Sequence, residues 1–167
     1  MKIVLVILST FMYLSSLCQI GNVQVLIGKN EAYVRRYLDS LNGLKPNPYF
    51  EIKKDFASDG EMLLTAEFAM TDQPIFTCYF IMFSFQRTKE GAQICIAEVI
   101  TGEVEYAEGN LNYIKDNFTR IPSETAKWER PFGNDLPYKI IAEFERKEGN
   151  YPSYVITYSV RKTDNQP

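Results

Sequence analysis

The alternation of apolar and polar residues divides the chain into short segments separated by turn residues. The longest apolar run outside the N-terminus is residues 76–85, FTCYFIMFSF. β-Branched and aromatic residues favour strands, and a strand that is apolar on both faces usually lies inside a sheet. The period of two places Ile81 and Phe83 on one face. Phe80 and Met82 then lie on the other face, so we expect an inner strand with material packed on both sides.

Two further segments follow the period of an α-helix, and the remaining apolar segments have the length of strands. Asn30 and Asn110 are each placed to cap the first turn of an amphipathic helix. The apolar stripes are Val34, Tyr37, Leu38 and Leu41 in the first helix, and Leu111, Ile114, Phe118 and Ile121 in the second. Strands are predicted over residues 49–57, 62–70, 93–100, 127–132, 138–146 and 154–162.

The two halves of the chain match one another as a tandem repeat, at about residues 30–100 and 110–162. Each unit reads as a helix followed by three antiparallel strands, with one extra strand between the units. Chance similarity between patterned segments is the alternative. The matched pairs include Asn30 with Asn110, Phe50 with Trp128, Ala66 with Ala142 and Ile81 with Ile156. We therefore predict an α+β fold, a curved antiparallel sheet with two helices packed on one face. The element order resembles that of the tandem helix–antiparallel-sheet proteins that inhibit β-lactamases, a resemblance that implies a fold and no function.

The N-terminal segment has the pattern of a signal peptide. Lys2 precedes an apolar run over residues 3–17, which is too short for a membrane span, and cleavage is expected near Cys18 and Gln19. Residues 1–18 are thus predicted to be removed, leaving 19–167 as one exported domain, periplasmic, surface-bound or secreted. A bacterial source is favoured, with eukaryotic secretion and lipid attachment at Cys18 as alternatives.

Composition excludes several classes of function. The chain has no histidine, which removes histidine-based catalytic triads and histidine metal ligands. A net charge of −3 without a basic run argues against nucleic acid as a partner. We predict no cofactor and no metal site. Cys78 and Cys95 are expected to be buried free thiols, because a hairpin turn at Lys89 would place Cys95 opposite Phe83, too far from Cys78 for a disulfide.

Two pairs of matched residues offer candidate sites. Glu67 and Glu143 could act as the acid and base of a carboxylate-dependent hydrolase on glycans, although a solvated sheet face is the simpler interpretation. Phe50 and Trp128 could form an aromatic platform for a sugar or a peptide, with core packing as the alternative. Glu103, Glu105 and Glu108 are expected to be solvated loop residues rather than ligands of Ca²⁺.

The strongest functional indication is an asymmetry between the two matched inner strands. The outer face of the second strand reads Val155, Thr157, Ser159 and Arg161, which suits water, whereas that of the first reads Cys78, Phe80 and Met82. Either the chain itself covers these apolar side chains, through residues 20–27 or the extra strand, or a protein partner or second copy does. We therefore predict an exported, non-catalytic binding module that uses this sheet face. The alternatives are the hydrolase and a structural or accessory envelope protein.

Overall fold

The computed structural model describes residues 24–42, 52–58, 60–67, 80–133 and 137–163. These residues form two α-helices and an eight-stranded antiparallel sheet, so the predicted α+β class is confirmed. The helices are α1 (Glu31–Asn42) and α2 (Ala107–Asn117), the latter preceded by a 3₁₀ turn (Val104–Tyr106). The strands are β1 (Ile52–Phe56), β2 (Met62–Glu67), β3 (Phe80–Arg87), β4 (Gln93–Glu103), β5 (Thr119–Arg120), β6 (Lys127–Pro131), β7 (Tyr138–Lys147) and β8 (Ser153–Lys162).

The sheet has the order β1-β2-β3-β4-β8-β7-β6-β5, and every pairing is antiparallel. The strand rich in aromatic residues, β3, lies between β2 and β4, so the prediction of an inner strand is confirmed. The extra strand, β4, joins β3 to β8 in the middle of the sheet. Because β4 is a member of the sheet, it does not cover either face.

Both helices pack on the same face of the sheet, which we call the helix face. The residues Phe83, Glu98 and Tyr158 are directly opposite one another on β3, β4 and β8, so they mark this face. The ring of Phe118, directly after α2, lies 5.8 Å from the ring of Tyr158. Glu31 of α1 forms an ion pair of 3.1 Å with Lys54, which belongs to the same row of residues. The core between the helices and the sheet includes seven aliphatic residues that are 0–1% exposed: Val34, Leu38, Leu64, Ile81, Ile100, Ile114 and Ile156.

Residues 24–29, which we call the lead-in segment, also lie on the helix face. Leu26 is fully buried, and its amide donates to the Glu98 carboxylate at 2.9 Å. The amide of Gly28 donates to the Cys95 carbonyl, and the Cys95 amide donates to the Lys29 carbonyl. The described part of the lead-in segment therefore does not cover Phe80 and Met82, contrary to one of the two explanations that the sequence offered.

The second helix and the segment before it differ from the prediction. The helix α2 begins at Ala107 rather than Asn110, and it ends at Asn117, before Ile121 and Pro122. Asn110 is therefore inside the helix, where its buried side chain donates to the Tyr154 hydroxyl at 2.9 Å. Glu103, Glu105 and Glu108, which were expected in a loop, instead belong to the end of β4, the 3₁₀ turn and the first turn of α2.

The register between β3 and β4 also differs from the prediction. Cys95 lies opposite Phe85, not Phe83, because the hairpin closes between Thr88 and Ala92. A β-bulge then adds Ile96 to β4, since Ser84 pairs with Ala97 and Phe85 pairs with Cys95. A bulge residue shifts the alternation of its strand by one position. As a consequence, Cys95 and Glu98 both point to the helix face.

The strand pairing does not reproduce the sequence equivalences between the two units. If Ala66 is equivalent to Ala142 and Ile81 to Ile156, then Ala142 should lie opposite Ile156 just as Ala66 lies opposite Ile81. Ala66 lies opposite Ile81, whereas Ala142 lies opposite Tyr158, two residues further along β8. A displacement of two residues preserves which side chains face the core. The predicted repeat is therefore not reproduced residue by residue, and α2 is followed by four strands rather than three because β5 precedes β6.

Candidate binding surface on the sheet

The face of the sheet opposite the helices carries a group of neighbouring apolar side chains. Pairing places Met82 between Thr65 and Val99, and Phe80 between Glu67 and Thr101. Met82 and Val99 are directly opposite, a pairing that places Cβ atoms about 4.5–5.5 Å apart, and diagonal neighbours lie about 7–8 Å apart, within reach of long side chains. Leu63 is diagonal to Met82, and Phe80 and Val155 are diagonal to Val99. We call this group the apolar patch; its members, each half-buried, are Leu63, Phe80, Met82, Val99 and Val155.

Carboxylates border the apolar patch at one end of the sheet. Glu67 lies directly opposite Phe80, and Glu145 lies directly opposite Val155. Glu103 follows Val99 and Thr101 on the same face of β4. No ion pair joins these three glutamates to any residue in the described part of the chain. The patch is therefore an apolar surface beside a negatively charged rim.

The other half of this face is mainly polar and carries its own ion pairs, with Ile141, opposite Ser159, as a buried apolar exception. Thr157 and Ser159 of β8 stand in the rows of Met82 and Ser84. Lys127 lies 2.9 Å from Glu124 and 3.5 Å from Glu143, and Lys139 lies 2.6 Å from Glu129. The predicted asymmetry is thus present in part: Phe80 and Met82 of β3 are apolar, while Thr157 and Ser159 of β8 are polar and Val155 of β8 belongs to the apolar patch.

The aromatic platform proposed from Phe50 and Trp128 is not supported. Phe50 lies outside the described residues. Trp128 is only 8% exposed and lies in the row of Ala142 and Tyr158, on the helix face. Trp128 is a core residue because its strand, β6, places it beneath α2, and the simpler interpretation from sequence was correct.

The two matched glutamates are too far apart to act together. Glu67 lies on β2 and Glu143 on β7, which are separated by four strand spacings, or about 19 Å at about 4.8 Å per strand. Glycosidase carboxylates lie about 5–9.5 Å apart. Both glutamates are exposed, and Glu143 forms an ion pair with Lys127. The separation of Glu67 and Glu143 therefore argues against the hydrolase hypothesis, which requires two neighbouring carboxylates.

The prediction of a buried free thiol is confirmed for Cys95. Cys95 is a buried free thiol, and burial, with a smaller contribution from the Glu98 carboxylate, raises its pKa. Cys78 lies outside the described residues. A protonated, buried thiol is a poor nucleophile, so Cys95 acts as a small apolar residue of the core.

The most unusual polar group in the core is Glu98, which the sequence analysis did not single out. Its side chain is 0% exposed, and its Oε2 accepts the hydrogen bond from the Leu26 amide. Its Oε1 has no hydrogen-bond partner among the described residues. Burial raises the pKa of Glu98 to about 8, with the Leu26 amide opposing the shift. A signal was present in the sequence, because Glu98 interrupts an otherwise apolar strand between Ile96 and Ile100.

Comparison with known proteins adds no relative. No protein-family model, no curated protein and no solved structure matches the chain. Among the described residues, neither helix is long and apolar enough to span a membrane. In the same part of the chain, no three acidic or cysteine side chains are grouped so that they could hold a metal ion.

Proposed function

We propose that the protein is an exported binding module that holds a protein partner on the apolar patch. The observation that supports this most strongly is the contrast within one sheet face. Phe80 and Met82 of β3 lie beside Val99 of β4, whereas Thr157, in the row of Met82, and Ser159, in the row of Ser84, are polar. Contiguous apolar side chains on an outer face favour contact with another molecule. The lead-in segment and both helices lie on the opposite face.

The charges beside the patch suggest the chemistry of the partner. Glu67, Glu103 and Glu145 would remain poorly neutralised next to an apolar contact. A partner segment with apolar side chains and flanking Lys or Arg residues would complement both features. We therefore propose a basic, amphipathic segment of a protein as the occupant, in preference to an acidic or purely apolar one.

Affinity capture with two charge variants tests this proposal. The tagged protein is incubated with the secreted and envelope proteins of its own source, beside Phe80→Asp and Thr157→Asp. Both variants add one carboxylate to the same sheet face, but only Phe80→Asp alters the apolar patch. We expect a bound protein to be retained by the wild type and by Thr157→Asp and to be lost from Phe80→Asp, because Phe80→Asp removes an aromatic contact and places a carboxylate against the apolar side chains of the partner.

Circular dichroism and a second patch variant, Val155→Asp, distinguish loss of binding from loss of folding. Equal capture by all folded variants would show that the patch is not the interface. Concentration-dependent dimerisation that Phe80→Asp alone abolishes would assign the patch to a second copy of the chain.

The proposal also covers the export of the chain, the origin of its two units and the shape of the sheet. We propose that export depends on residues 1–18, which lie outside the described residues. We also propose that the two helix-and-sheet units arose by duplication and that the sheet is curved. The common element order supports the duplication, and the two-residue difference in strand pairing stands against a strict repeat.

A further inference from the structure

The lead-in segment contacts Glu98 and is joined to β4 by a small set of hydrogen bonds. The Leu26 amide donates to the Glu98 carboxylate at 2.9 Å. The backbone of Cys95 exchanges two further hydrogen bonds with Gly28 and Lys29. Strands β3 and β8, in contrast, are paired with β4 over eight and seven residue pairs. The lead-in segment can therefore leave Glu98 without breaking any pairing between the strands.

Gly28 provides a hinge between the lead-in segment and α1. Its φ is +84°, a backbone conformation that other residues adopt only at a cost, and the Lys29 amide donates to the Leu26 carbonyl across the same turn. Directly after this turn, the side chain of Asn30 caps α1. A change of backbone angles at Gly28 thus moves residues 24–27 and leaves α1 in place.

The titratable groups that the surrounding elements place in this region include three phenols, one thiol and two cations. They are Tyr154 and Tyr158 on β8, Tyr113 on α2, Cys95 on β4, Arg130 on β6 and Lys29 in the lead-in segment. From the other two elements, β3 places Phe83 opposite Glu98, and α1 buries the uncharged side chains of Val34 and Leu38.

Neither of these two cations neutralises Glu98. Arg130 lies over the ring of Phe118, at 4.5 Å from its centroid, and Lys29 lies over the ring of Tyr33, at 5.2 Å. Within the described ranges, no ion pair involves Glu98. A charged Glu98 in the closed structure is therefore buried without a counter-charge, which is costly unless water reaches it.

We propose that Glu98 is a proton-operated latch for the lead-in segment. The protonated side chain stays enclosed and holds the segment against the sheet. Loss of the proton favours a form in which residues 24–27 swing away from β4 about Gly28 and water reaches the carboxylate, while the strands stay paired. This open form exposes the buried side chains of Val25, Leu26 and Ile27, so a rise in pH creates an apolar surface that the closed form lacks.

The latch couples opening to the release of one proton. Burial holds the pKa of Glu98 at about 8 in the closed form, whereas a solvated carboxyl group has the ordinary value of 4.5. Between these two values opening releases a proton, so the equilibrium constant for opening rises about tenfold per pH unit. It is constant below this interval and again above it, because both forms then carry the same charge.

Native-state hydrogen exchange of the ¹⁵N-labelled protein tests the latch. The reporters are the amides of Leu26 and Gly28, whose exchange rates are divided by the intrinsic rates to give protection factors. We expect both protection factors to fall about tenfold per pH unit between about pH 5 and pH 8. Glu98→Gln still offers an acceptor to the Leu26 amide but cannot ionise, so its protection factors should not depend on pH. Glu90→Gln, which removes an exposed carboxylate from the hairpin before β4, should keep the slope of the wild type.

Low concentrations of urea distinguish this opening from unfolding of the whole domain, which also exposes Glu98. Global unfolding exposes a large surface and responds strongly to urea, whereas a local opening responds weakly. We expect the Leu26 and Gly28 amides to exchange faster than the paired amides of β7 and β8 and to depend little on urea.

Three results would overturn the proposal. One is that Leu26 and Gly28 exchange at the rate and with the urea dependence of the β7 and β8 amides, and another is that their protection does not change with pH. The third is that folded Glu98→Gln keeps the slope of the wild type. The first two are measured on the wild type alone, so they decide the question even if the variant does not fold. The apolar patch lies on the other face of the sheet, so the outcome is independent of the test of the protein partner.

Discussion

At the scale of single residues, Glu98 holds the lead-in segment against the sheet. The Leu26 amide has no strand partner at this position, and the Glu98 carboxylate accepts its hydrogen bond inside the core. A buried backbone amide without a partner costs about as much as a lost hydrogen bond. The carboxylate therefore stabilises the segment, while its own burial makes the charged form unfavourable.

The raised pKa of Glu98 predicts a specific pH dependence of stability. Its pKa is about 8 in the folded protein against an ordinary value of 4.5, so the folded state binds more protons between these values. The contribution of Glu98 to the free energy of unfolding is therefore full below about pH 4.5 and is lost as pH rises to about 8, by up to about 5 kcal/mol. Glu98→Gln should remove this slope in urea unfolding measured across that interval.

Glu145→Gln is the control for this measurement, because Glu145 is an exposed carboxylate on the face of the sheet opposite the helices. It should keep the slope of the wild type. A Glu98→Gln protein whose stability still falls with pH as steeply as the wild type would contradict the assignment of the slope to Glu98.

Gly28 is the second residue on which the lead-in segment depends. Its φ is +84°, and a Cβ at this position would lie 2.8 Å from the ring of Phe132. Only glycine adopts this backbone conformation without cost and also allows the ring to approach so closely. The amide of Gly28 meanwhile donates to the Cys95 carbonyl at 2.8 Å.

We expect Gly28→Ala to lower the free energy of unfolding by about 2–4 kcal/mol, from backbone strain and from the clash with Phe132. Gly60→Ala separates the two causes, since Gly60 has a φ of +83° but no atom within 4 Å of an added Cβ. It should cost only about 1 kcal/mol. Equal losses in thermal or urea unfolding would show that the ring contact is unimportant.

At the scale of elements, the two helices begin in different ways although the sequence suggested the same cap for both. The side-chain oxygen of Asn30 accepts from the Tyr33 amide at 2.9 Å, as an N-cap does. Asn110, in contrast, lies inside α2, which begins at Ala107, and its side chain donates a hydrogen bond to the Tyr154 hydroxyl. Local sequence around Asn110 permits a cap, but it does not reveal that the chain has already entered the helix at Ala107.

Asn30→Ala should lower the free energy of unfolding by about 1 kcal/mol, because the Tyr33 amide loses its side-chain acceptor and keeps only the Asn30 carbonyl. Asn30→Ser should recover most of this loss, since the serine hydroxyl accepts the same hydrogen bond. If chemical denaturation gave equal stabilities for all three proteins, the cap would have no energetic role.

The strands were predicted better than the connections between them. Period-two alternation located β2, β3, β7 and β8 because their side chains alternate between a core and an outer face. The bulge at Ile96 could not be predicted, since no residue in the hairpin requires it locally. The bulge turns Glu98 to the helix face, and hydrogen bonds between β4 and the lead-in segment fix the path of that segment. Both features therefore depend on contacts that the local sequence does not show.

At the scale of the whole molecule, the two faces of the sheet differ in what the described residues place on them. Helices and lead-in segment pack on one side of the sheet, and the apolar patch lies on the other. The sequence identified Phe80 and Met82 because two matched strands differed in polarity. It left Trp128 open between an aromatic platform and the core, since the environment of Trp128 depends on where α2 packs.

Photo-crosslinking from the sheet surface tests the central claim, that the apolar patch holds a partner, most directly. A photoreactive amino acid replaces Met82 in one protein and Thr157 in another, and each is illuminated in the presence of the native secreted and envelope proteins. These positions share a sheet face and a row, with only Val99 between them. We predict a discrete covalent adduct from position 82 that is weak or absent from position 157. No adduct from position 82, or equal adducts from both, would contradict a binding site on the apolar patch.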